Sequence, residues 1–218
     1  MTYKEKILKA PAGCPVDELY WALDDVGTFG QYTDHFNNDG PVGDWFASHK
    51  ALIDCVPNKR TVIQAGGALG LYPLLLSPIF KNVYTFEPSD ISWHFLSKNI
   101  QSIGNITANK MALGSKQLDT ASSLTVTPYN LGMNKIAEVG GNIKMVTIDS
   151  LNIQDVDLIW FDLEGFEYEA LLGSEQTIRE YMPIIGVENP TQPIVDFLVG
   201  IGYNTGTQSK MDVFFSRK

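Results

Sequence analysis

The chain has 218 residues, of which 44% are hydrophobic and 19% are charged, and this is enough apolar sequence for one well-buried domain. Its formal net charge of -9 argues against nucleic acid as a partner, because affinity for phosphates depends largely on lysine and arginine. The N-terminal MTYKEKILKA lacks the apolar core of a signal peptide, and no apolar run approaches a membrane span. Cys14 and Cys55 show no metal-ligand spacing, so we expect free thiols and a cytoplasmic protein.

Residues 1–40 are predicted to form an irregular lead-in or a flap over a site, ahead of a domain over residues 41–218. Turn-forming residues interrupt this segment, and Asp17–Leu23 is its candidate for a short helix. The aromatic and polar cluster at residues 29–36 follows neither the helical nor the strand period. Trp45–Cys55 then shows the spacing of an amphipathic helix.

The stretch Thr61–Gly70, TVIQAGGALG, organises the rest of the chain. Its apolar, β-branched start predicts a strand that is buried on both faces. The glycines that follow allow a sharp turn and bring backbone amides close to a ligand where a Cβ would block the approach. A helix is expected to begin at Leu71, with Pro73 in its first turn. This geometry receives nucleotide-like ligands, although a purely structural turn would show the same small residues.

The spacing of the glycines excludes the dinucleotide fingerprint G-x-G-x-x-G. Counted from Gly66, the third position is Ala68 and the sixth is Leu71, so a nicotinamide oxidoreductase is disfavoured. The order Gly66-x-Ala68-x-Gly70 resembles the first motif of class I S-adenosylmethionine-dependent methyltransferases.

A second apolar strand, Val83–Phe86, ends at Glu87. An acidic residue at this point, roughly twenty residues past a glycine turn, suits acceptance of the two hydroxyl protons of a ribose; the alternative is a surface glutamate at a strand end. Ser89 is expected to cap a helix that runs to about Ile103. Ile106–Leu113 is the predicted third strand, and an adenine-type ring is expected at its exit.

The polar, glycine-containing insert Gly114–Ile143 is either a specificity loop or a decorated edge of the sheet. Within it, Ser122–Thr127 is a candidate hairpin strand. Lys144–Ile148 is strand-like, and the apolar run Val156–Phe161 predicts a further buried strand that ends at Asp162.

The last part of the chain predicts a helix over Phe166–Tyr181, a strand over Pro183–Val187, a helix over Gln192–Val199 and a terminal pair of strands within Gly202–Phe215. Strands that alternate with helices predict an α/β fold with a Rossmann-like, doubly wound, mostly parallel sheet. We expect seven strands, an antiparallel C-terminal hairpin strand, and ligands at the carboxyl ends of the parallel strands.

Three separated segments together resemble the FkbM family of S-adenosylmethionine-dependent methyltransferases: TVIQAGGALG, VYTFEPSD and VDLIWFDLEGFEYEALLGS. The D-x-E-G-x-E-x-x-x-L-x-G run that begins at Asp162 is the most specific of the motifs. The resemblance extends from about Asp39 to the C-terminus. Gln64 departs from the family, which usually has an aspartate before the first glycine, and this removes a charge that would hold a cationic methionine moiety.

The resemblance implies S-adenosylmethionine as cofactor and transfer of a methyl group to a hydroxyl of a sugar or other small metabolite. We predict no metal site. The cofactor-binding residues that it implies are Gln64, Ala65, Gly66, Gly67, Ala68, Gly70, Glu87 and Asp162. Asp162 and Glu188 are the candidate catalytic residues, because both follow apolar strands and would lie at the carboxyl edge of the sheet.

Several residues have alternative interpretations. Glu164 either lines the same mouth or stabilises a helix start. His35 and His49 lie near the site by segment, but an ordinary packed or exposed histidine is the better interpretation of each.

Two alternative hypotheses concern the site as a whole. Asp149, Asp162 and Glu188 would suit a hard cation, although no ligand spacing supports one. A non-catalytic nucleotide-binding or partner-binding domain with the same fold is the alternative function, and Gln64 is its best support.

Overall fold

In a computed structural model of the chain, which describes residues 3–25, 49–124 and 129–218, the main feature is a seven-stranded sheet. The strands, numbered in chain order, are β1 Glu5–Lys9, β2 Glu18–Ala22, β3 Thr61–Ala65, β4 Asn82–Phe86, β5 Ile106–Asn109, β6 Ala112–Leu113, β7 Leu118–Leu124, β8 Lys135–Ala137, β9 Ile143–Val146, β10 Val156–Phe161, β11 Ile184–Glu188, β12 Thr207–Ser209 and β13 Asp212–Phe215. The helices are α1 Leu71–Leu76, α2 Asp90–Ile100, α3 Glu167–Leu172, α4 Glu175–Tyr181 and α5 Gln192–Gly200; residues 49–54 are also helical.

The large sheet has the strand order β12-β13-β11-β10-β3-β4-β5. Strands β5, β4, β3, β10 and β11 pair in parallel, and β13 pairs antiparallel with both β11 and β12. The predicted Rossmann-like α/β fold is confirmed, including the antiparallel C-terminal strand. The chain runs outward from β3 to β5 and later returns to place β10 beside β3. The order therefore reverses between β3 and β10, and open α/β sheets bind their ligands at such a point.

The two central strands are buried at every position, as the apolar runs predicted. Their side chains alternate between two cores, because successive residues of a strand point to opposite faces of the sheet. Ile63 and Phe161 pack in one core with α3 and α5, whereas Val62, Leu158 and Trp160 pack in the other. Burial on both faces explains why these strands show continuous hydrophobicity rather than alternation.

The N-terminal segment differs from the prediction. Glu18–Ala22 is a strand and not the expected short helix, and it pairs antiparallel with Glu5–Lys9. Leu19 and Trp21, two positions apart, are fully buried against a cluster that includes Phe95 of α2. This alternation is the strand period, and the expectation of an irregular segment was wrong here. The division of the chain at residue 40 stays a prediction.

Some sequence expectations lie outside the described residues. These are the cluster at residues 29–36, which includes His35, and the first part of the predicted helix Trp45–Cys55. Of that helix, residues 49–54 are helical, as expected. No helix in the described ranges is both long and apolar enough to cross a membrane.

The single helix expected over Phe166–Tyr181 is two helices, with a break at Gly173. A Cβ on Gly173 would lie 2.0 Å from the carbonyl oxygen of Gly114. The Gly173 carbonyl also accepts a hydrogen bond from the Asp149 amide at 3.0 Å. The break therefore brings the insert close to the helices that cover the large sheet.

The insert forms a second sheet, with the strand order β6-β9-β7-β8. The predicted third strand Ile106–Leu113 divides, because its first half is β5 of the large sheet and its end is β6 of the second sheet. The strand-like run Lys144–Ile148 provides β9. The strand expected over Ser122–Thr127 begins earlier, at Leu118, and its last residues lie outside the described ranges.

Candidate functional site

A cavity of about 310 Å³ lies at the carboxyl ends of the central strands, at the point where the strand order reverses. Its volume is within the range of roughly 300–1,000 Å³ that small-molecule sites show. The glycine turn, the ends of β4, β10 and β11, the start of β13, and one face of the insert line it. The insert Gly114–Ile143 therefore forms a wall of the cavity. The sequence alone allowed either a specificity loop or a decorated edge of the sheet.

The glycine turn after β3 is held by its neighbours in the sheet. The amides of Gly66 and Gly67 donate to the carbonyl of Phe86 at 3.2 and 2.9 Å. Gly66 has a φ of 88°, and a Cβ there would lie 1.9 Å from the carbonyl oxygen of Asp162. Glycine is thus required at this position by the close approach of the chain's own backbone. Of the residues implied to bind the cofactor in this turn, Gly66 and Ala68 line the cavity, whereas Ala65, Gly67 and Gly70 do not.

Gln64 does not line the cavity either. Its buried side chain donates to the carbonyl of Gly66 at 2.9 Å and accepts from the hydroxyl of Thr85 at 2.8 Å. The residue therefore braces the turn from inside the sheet. Its lack of charge consequently does not change the charge of the cavity wall.

Glu87 lies at the end of β4, lines the cavity and is only 7% exposed. One carboxylate oxygen accepts from the amide of Ala68 and the other from the amide of Ser89, both at 2.8 Å. Burial raises the pKa of Glu87 to about 7, although these two hydrogen bonds favour the ionised form. Because a carboxylate has about four acceptor positions, it keeps capacity for two more donors. The role of Glu87 at a ribose stays a prediction.

Asp162 and Glu188 follow adjacent parallel strands, β10 and β11, and both line the cavity. Burial, the neighbouring charge of Glu188 and a hydrogen bond to it raise the pKa of Asp162 well above its usual value. Burial also raises the pKa of Glu188, which the hydrogen bond from Asp162 partly offsets. The close approach of these two acidic groups therefore disfavours the state in which both are ionised. The structure thus brings together the two residues that the sequence indicated as catalytic.

Glu164 lies beside this pair, and burial followed by the charge of Glu188 raises its pKa. Oxygen atoms of Asp162, Glu164 and Glu188 lie within 4.8 Å of one another, a spacing that admits a cation, although acidic groups often lie this close without one. The suggestion that Asp149 joins Asp162 and Glu188 around a cation was wrong. Its carboxylate instead accepts from the amides of Gln176 and Thr177 in α4 at 3.1 and 2.8 Å.

Sequence reasoning missed Asp212, the first residue of β13. Asp212 lies opposite Glu188 in the antiparallel register, is 3% exposed and lines the cavity. One of its oxygens accepts from the indole nitrogen of Trp160, and the other lies 2.8 Å from the Nε2 atom of His49. Its charge contributes to the raised pKa values of Asp162 and Glu188. No local pattern marks Asp212, because only the strand register brings it to the site.

His49 is fully buried and does not itself line the cavity. Its ring centroid lies 5.1 Å from that of Trp160. The expectation of a packed histidine therefore holds, with the addition that it contacts a carboxylate of the cavity wall, Asp212.

The N-terminal hairpin also supports the site. Asp25, which follows β2, is fully buried and accepts from the indole nitrogen of Trp21 at 3.0 Å. Its other oxygen accepts from the amide of Leu131 at 3.4 Å, and Leu131 lies in the cavity wall. Asn130 accepts from the amide of Gly132 at 3.1 Å and so caps the same turn. The hairpin thereby fixes the position of one side of the insert.

A sequence model of the methyltransferase FkbM domain matches residues 81–203, more than half of the chain. The chain belongs to this family. The match covers Glu87, the acid pair Asp162 and Glu188, and the insert that lies between Glu87 and this pair in the chain. The residues of the cavity wall therefore come largely from the family domain. A comparison with curated proteins finds no match.

One solved structure supports the fold, and two others show a weaker likeness. The methyltransferase FkbM from Methylobacillus flagellatus KT superposes with a TM-score of 0.52 at 16% identity, over 72% of this chain and 43% of that one. The chain thus spans less than half the length of that protein. Trm5b from Pyrococcus abyssi gives 0.49 at 11% identity, over 99% and 55% of the two chains. SMU.1697c from Streptococcus mutans, in complex with SAH, gives 0.49 at 13% identity, over 79% and 97%.

Proposed function

We propose that the protein is an S-adenosylmethionine-dependent methyltransferase that methylates a hydroxyl of a sugar or other small metabolite. Besides the family, one observation carries the proposal. The cavity lies at the point where the strand order of the sheet reverses. Glu87, a buried carboxyl group with spare acceptor positions, lies on one side of it, and Asp162 and Glu188, a pair of carboxyl groups with raised pKa values, lie on the other.

The residues of the cavity fit the proposed cofactor. Glu87 offers two acceptor positions to the two hydroxyls of a ribose, and Gly66 and Ala68 line the space between Glu87 and Asp162. The negative charge around Asp162 suits a cationic sulfonium. When bound, the cofactor supplies a methyl group on a positively charged sulfur that is a good leaving group.

The residues of the chain orient the acceptor and take up its hydroxyl proton. Holding an acceptor in line with the methyl group contributes about 7–11 kcal/mol at best. The Asp162–Glu188 pair, in which ionisation of both groups is disfavoured, retains one negative charge with which to take the proton of an acceptor hydroxyl. Its raised pKa values make it a stronger base than an exposed carboxylate.

The charge of the wall supports a small acceptor without phosphate groups. No lysine or arginine is among the described residues that line the cavity. Residues 26–48 and 125–128, which the structure does not describe, contain neither residue type. A phosphate group would therefore meet the carboxyl groups of the wall, with the charge of Lys135 acting on Glu164 from outside it, and nucleic acid is disfavoured as acceptor.

The alternative of a non-catalytic binding domain loses its main support, because Gln64 lies outside the cavity. We test the proposal first by calorimetric titration of the protein with S-adenosylmethionine and S-adenosylhomocysteine. Binding of both is expected, and binding of neither would contradict the cofactor.

Methyl transfer is tested with a panel of neutral sugars and other hydroxyl compounds, with products detected by mass spectrometry. Asp162→Asn, which keeps the shape but can neither take up nor pass on a proton, should lose transfer by two or more orders of magnitude, since general base catalysis contributes about 10²–10⁴-fold. Asp119→Asn, on the exposed surface of the insert, is the matched control and should retain activity. Equal activity of the two variants would remove Asp162 from the mechanism, and cofactor binding without transfer to any acceptor would favour the binding domain.

A further inference from the structure

His49 is a buried polar residue that lies just behind the cavity wall. It belongs to the helical residues 49–54 and is fully buried. Its ring centroid lies 5.1 Å from that of Trp160 and 5.8 Å from that of Phe214. Its Nε2 atom lies 2.8 Å from Oδ2 of Asp212, which lines the cavity. His49 therefore connects the helix before the glycine turn to the C-terminal strand β13 at the site.

The ionisation of Asp212 depends on which partner donates in this contact. The indole nitrogen of Trp160 can only donate, and it contacts Oδ1 of Asp212 at 2.8 Å. With a proton on Nε2 of His49, each carboxylate oxygen accepts from an N–H group, and hydrogen bonds of this kind favour the ionised acid. With the proton on Asp212 instead, its O–H would donate to Nε2, and the carboxyl group would accept one N–H bond fewer. A proton on Nε2 therefore holds Asp212 as a carboxylate.

The charge of Asp212 acts on the acid pair at the ends of β10 and β11. Asp212 lies opposite Glu188 in the antiparallel register. Burial is the largest cause of the raised pKa values of Asp162 and Glu188, and the charge of Asp212 raises both further. Of the other neighbouring charges, Glu164 acts on Asp162 and Glu167 acts on Glu188, and both are acidic. A negative charge fixed beside the pair makes it a stronger base, which favours removal of a hydroxyl proton.

Resting on the proposed methyl transfer, we propose that His49 is a positioning residue of this reaction. It donates a hydrogen bond from Nε2 to Asp212 and thereby fixes a negative charge beside Asp162 and Glu188. His49 does not line the cavity, so it acts through Asp212 and is not itself a catalytic residue. His49 and Asp212 both lie outside residues 81–203, which the family model matches. Their contact is therefore a feature of this chain beyond the matched domain.

The test follows the titration of the acid pair in the ligand-free protein, by carbon NMR of the side-chain carboxyl groups. Asp162→Asn and Glu188→Gln assign the signals, and the apparent midpoints belong to the pair. His49→Phe keeps a ring against Trp160 and removes the donor, whereas His49→Gln removes the ring and offers an amide N–H in place of Nε2. His49→Phe and Asp212→Asn should each lower the midpoints by about half a pH unit or more, because a like charge is lost. His49→Gln should keep the wild-type midpoints, and the double variant His49→Phe with Asp212→Asn should match Asp212→Asn alone.

The two substitutions of His49 separate the proposed role from simple packing. A packing role predicts the reverse order, with His49→Phe like the wild type and His49→Gln shifted. Equal midpoints in the two variants would contradict the role of the donor, and a larger shift in the double variant than in Asp212→Asn would show that His49 does not act through Asp212. Asp119→Asn, an exposed carboxylate of the insert, is the control for loss of a negative charge and should keep the wild-type midpoints.

A measurement on the wild-type protein covers the case in which His49→Phe fails to fold. Nitrogen NMR of the imidazole should find a proton on Nε2 of His49 at neutral pH, and an unprotonated Nε2 would overturn the inference without any variant. These experiments need neither cofactor nor acceptor. Their failure is therefore distinguishable from failure of the proposed function, which the calorimetric titration with S-adenosylmethionine tests.

Discussion

The stability of the protein should fall as the pH rises through the titration of Glu87. Burial raises the pKa of this carboxyl group from 4.5 to about 7, so between these values the folded chain holds a proton that the unfolded chain has released. The free energy of unfolding then decreases with pH, because the folded state binds more protons. For these two pKa values, the linkage relation gives a loss of about 2.5 kcal/mol between pH 5 and pH 8.

The measurement is urea unfolding of the ligand-free protein, followed by tryptophan fluorescence at half-unit steps from pH 5 to pH 8. The Glu87→Gln variant has no proton to lose at this position. It leaves one of the two amides that bond Glu87 without an acceptor, and this lowers its free energy of unfolding by the same amount at every pH. Asp162, Glu164 and Glu188 also have raised pKa values, but they titrate in both proteins and cancel in the difference. A difference between wild type and variant that stays constant across this range would refute the reasoning from burial.

Three further outcomes are expected. The affinity for S-adenosylhomocysteine should rise several-fold from pH 6 to pH 8, because ribose hydroxyls favour ionised Glu87, and calorimetry with Glu87→Ala should show at least tenfold weaker, pH-independent binding. Gly66→Ala should lower the free energy of unfolding by about 3 kcal/mol or more, since its Cβ would meet a carbonyl oxygen; Gly104→Ala, with no atom within 4 Å of its Cβ, should change it by less than about 0.5 kcal/mol. Asp212→Asn removes a charge that raises the pKa values of Asp162 and Glu188, so the pH profile of methyl transfer should shift to lower pH; an unshifted profile would separate Asp212 from the acid pair.

The central strands and the residues directly after them could be predicted from the sequence. β3 and β10 are buried on both faces, so each is a continuous apolar run that needs no tertiary information to recognise. Glu87 and Asp162 follow such runs, and the carboxyl ends of parallel strands meet at one edge of a sheet. Local sequence therefore determined both the position and the chemistry of these residues.

Residues that depend on long-range pairing were not predicted. Asp212 lies at the site because β13 pairs antiparallel with β11 and brings it opposite Glu188. Ser123 and Ile136 meet in the cavity wall because β7 and β8 pair, in an insert whose sequence is polar and without a clear period. β2 was mistaken for a helix because it is short and its strand period rests on only two buried residues, Leu19 and Trp21.

The spacing of the glycine turn indicated a cofactor site. However, the contact that most strictly requires glycine at position 66 is with the backbone at the end of β10. Gly66 is in contact with the carbonyl oxygen of Asp162, and the amide of Asp162 donates to the carbonyl of Ala65 at 3.1 Å. The turn that would bind the cofactor and the residue that would act on the acceptor are therefore one backbone unit. A larger residue at position 66 displaces Asp162 together with the turn, so loss of binding in such a variant would not distinguish the cofactor contact from the fold. Glu87, which is held by side-chain hydrogen bonds to two amides, is the residue through which the cofactor contact can be tested separately.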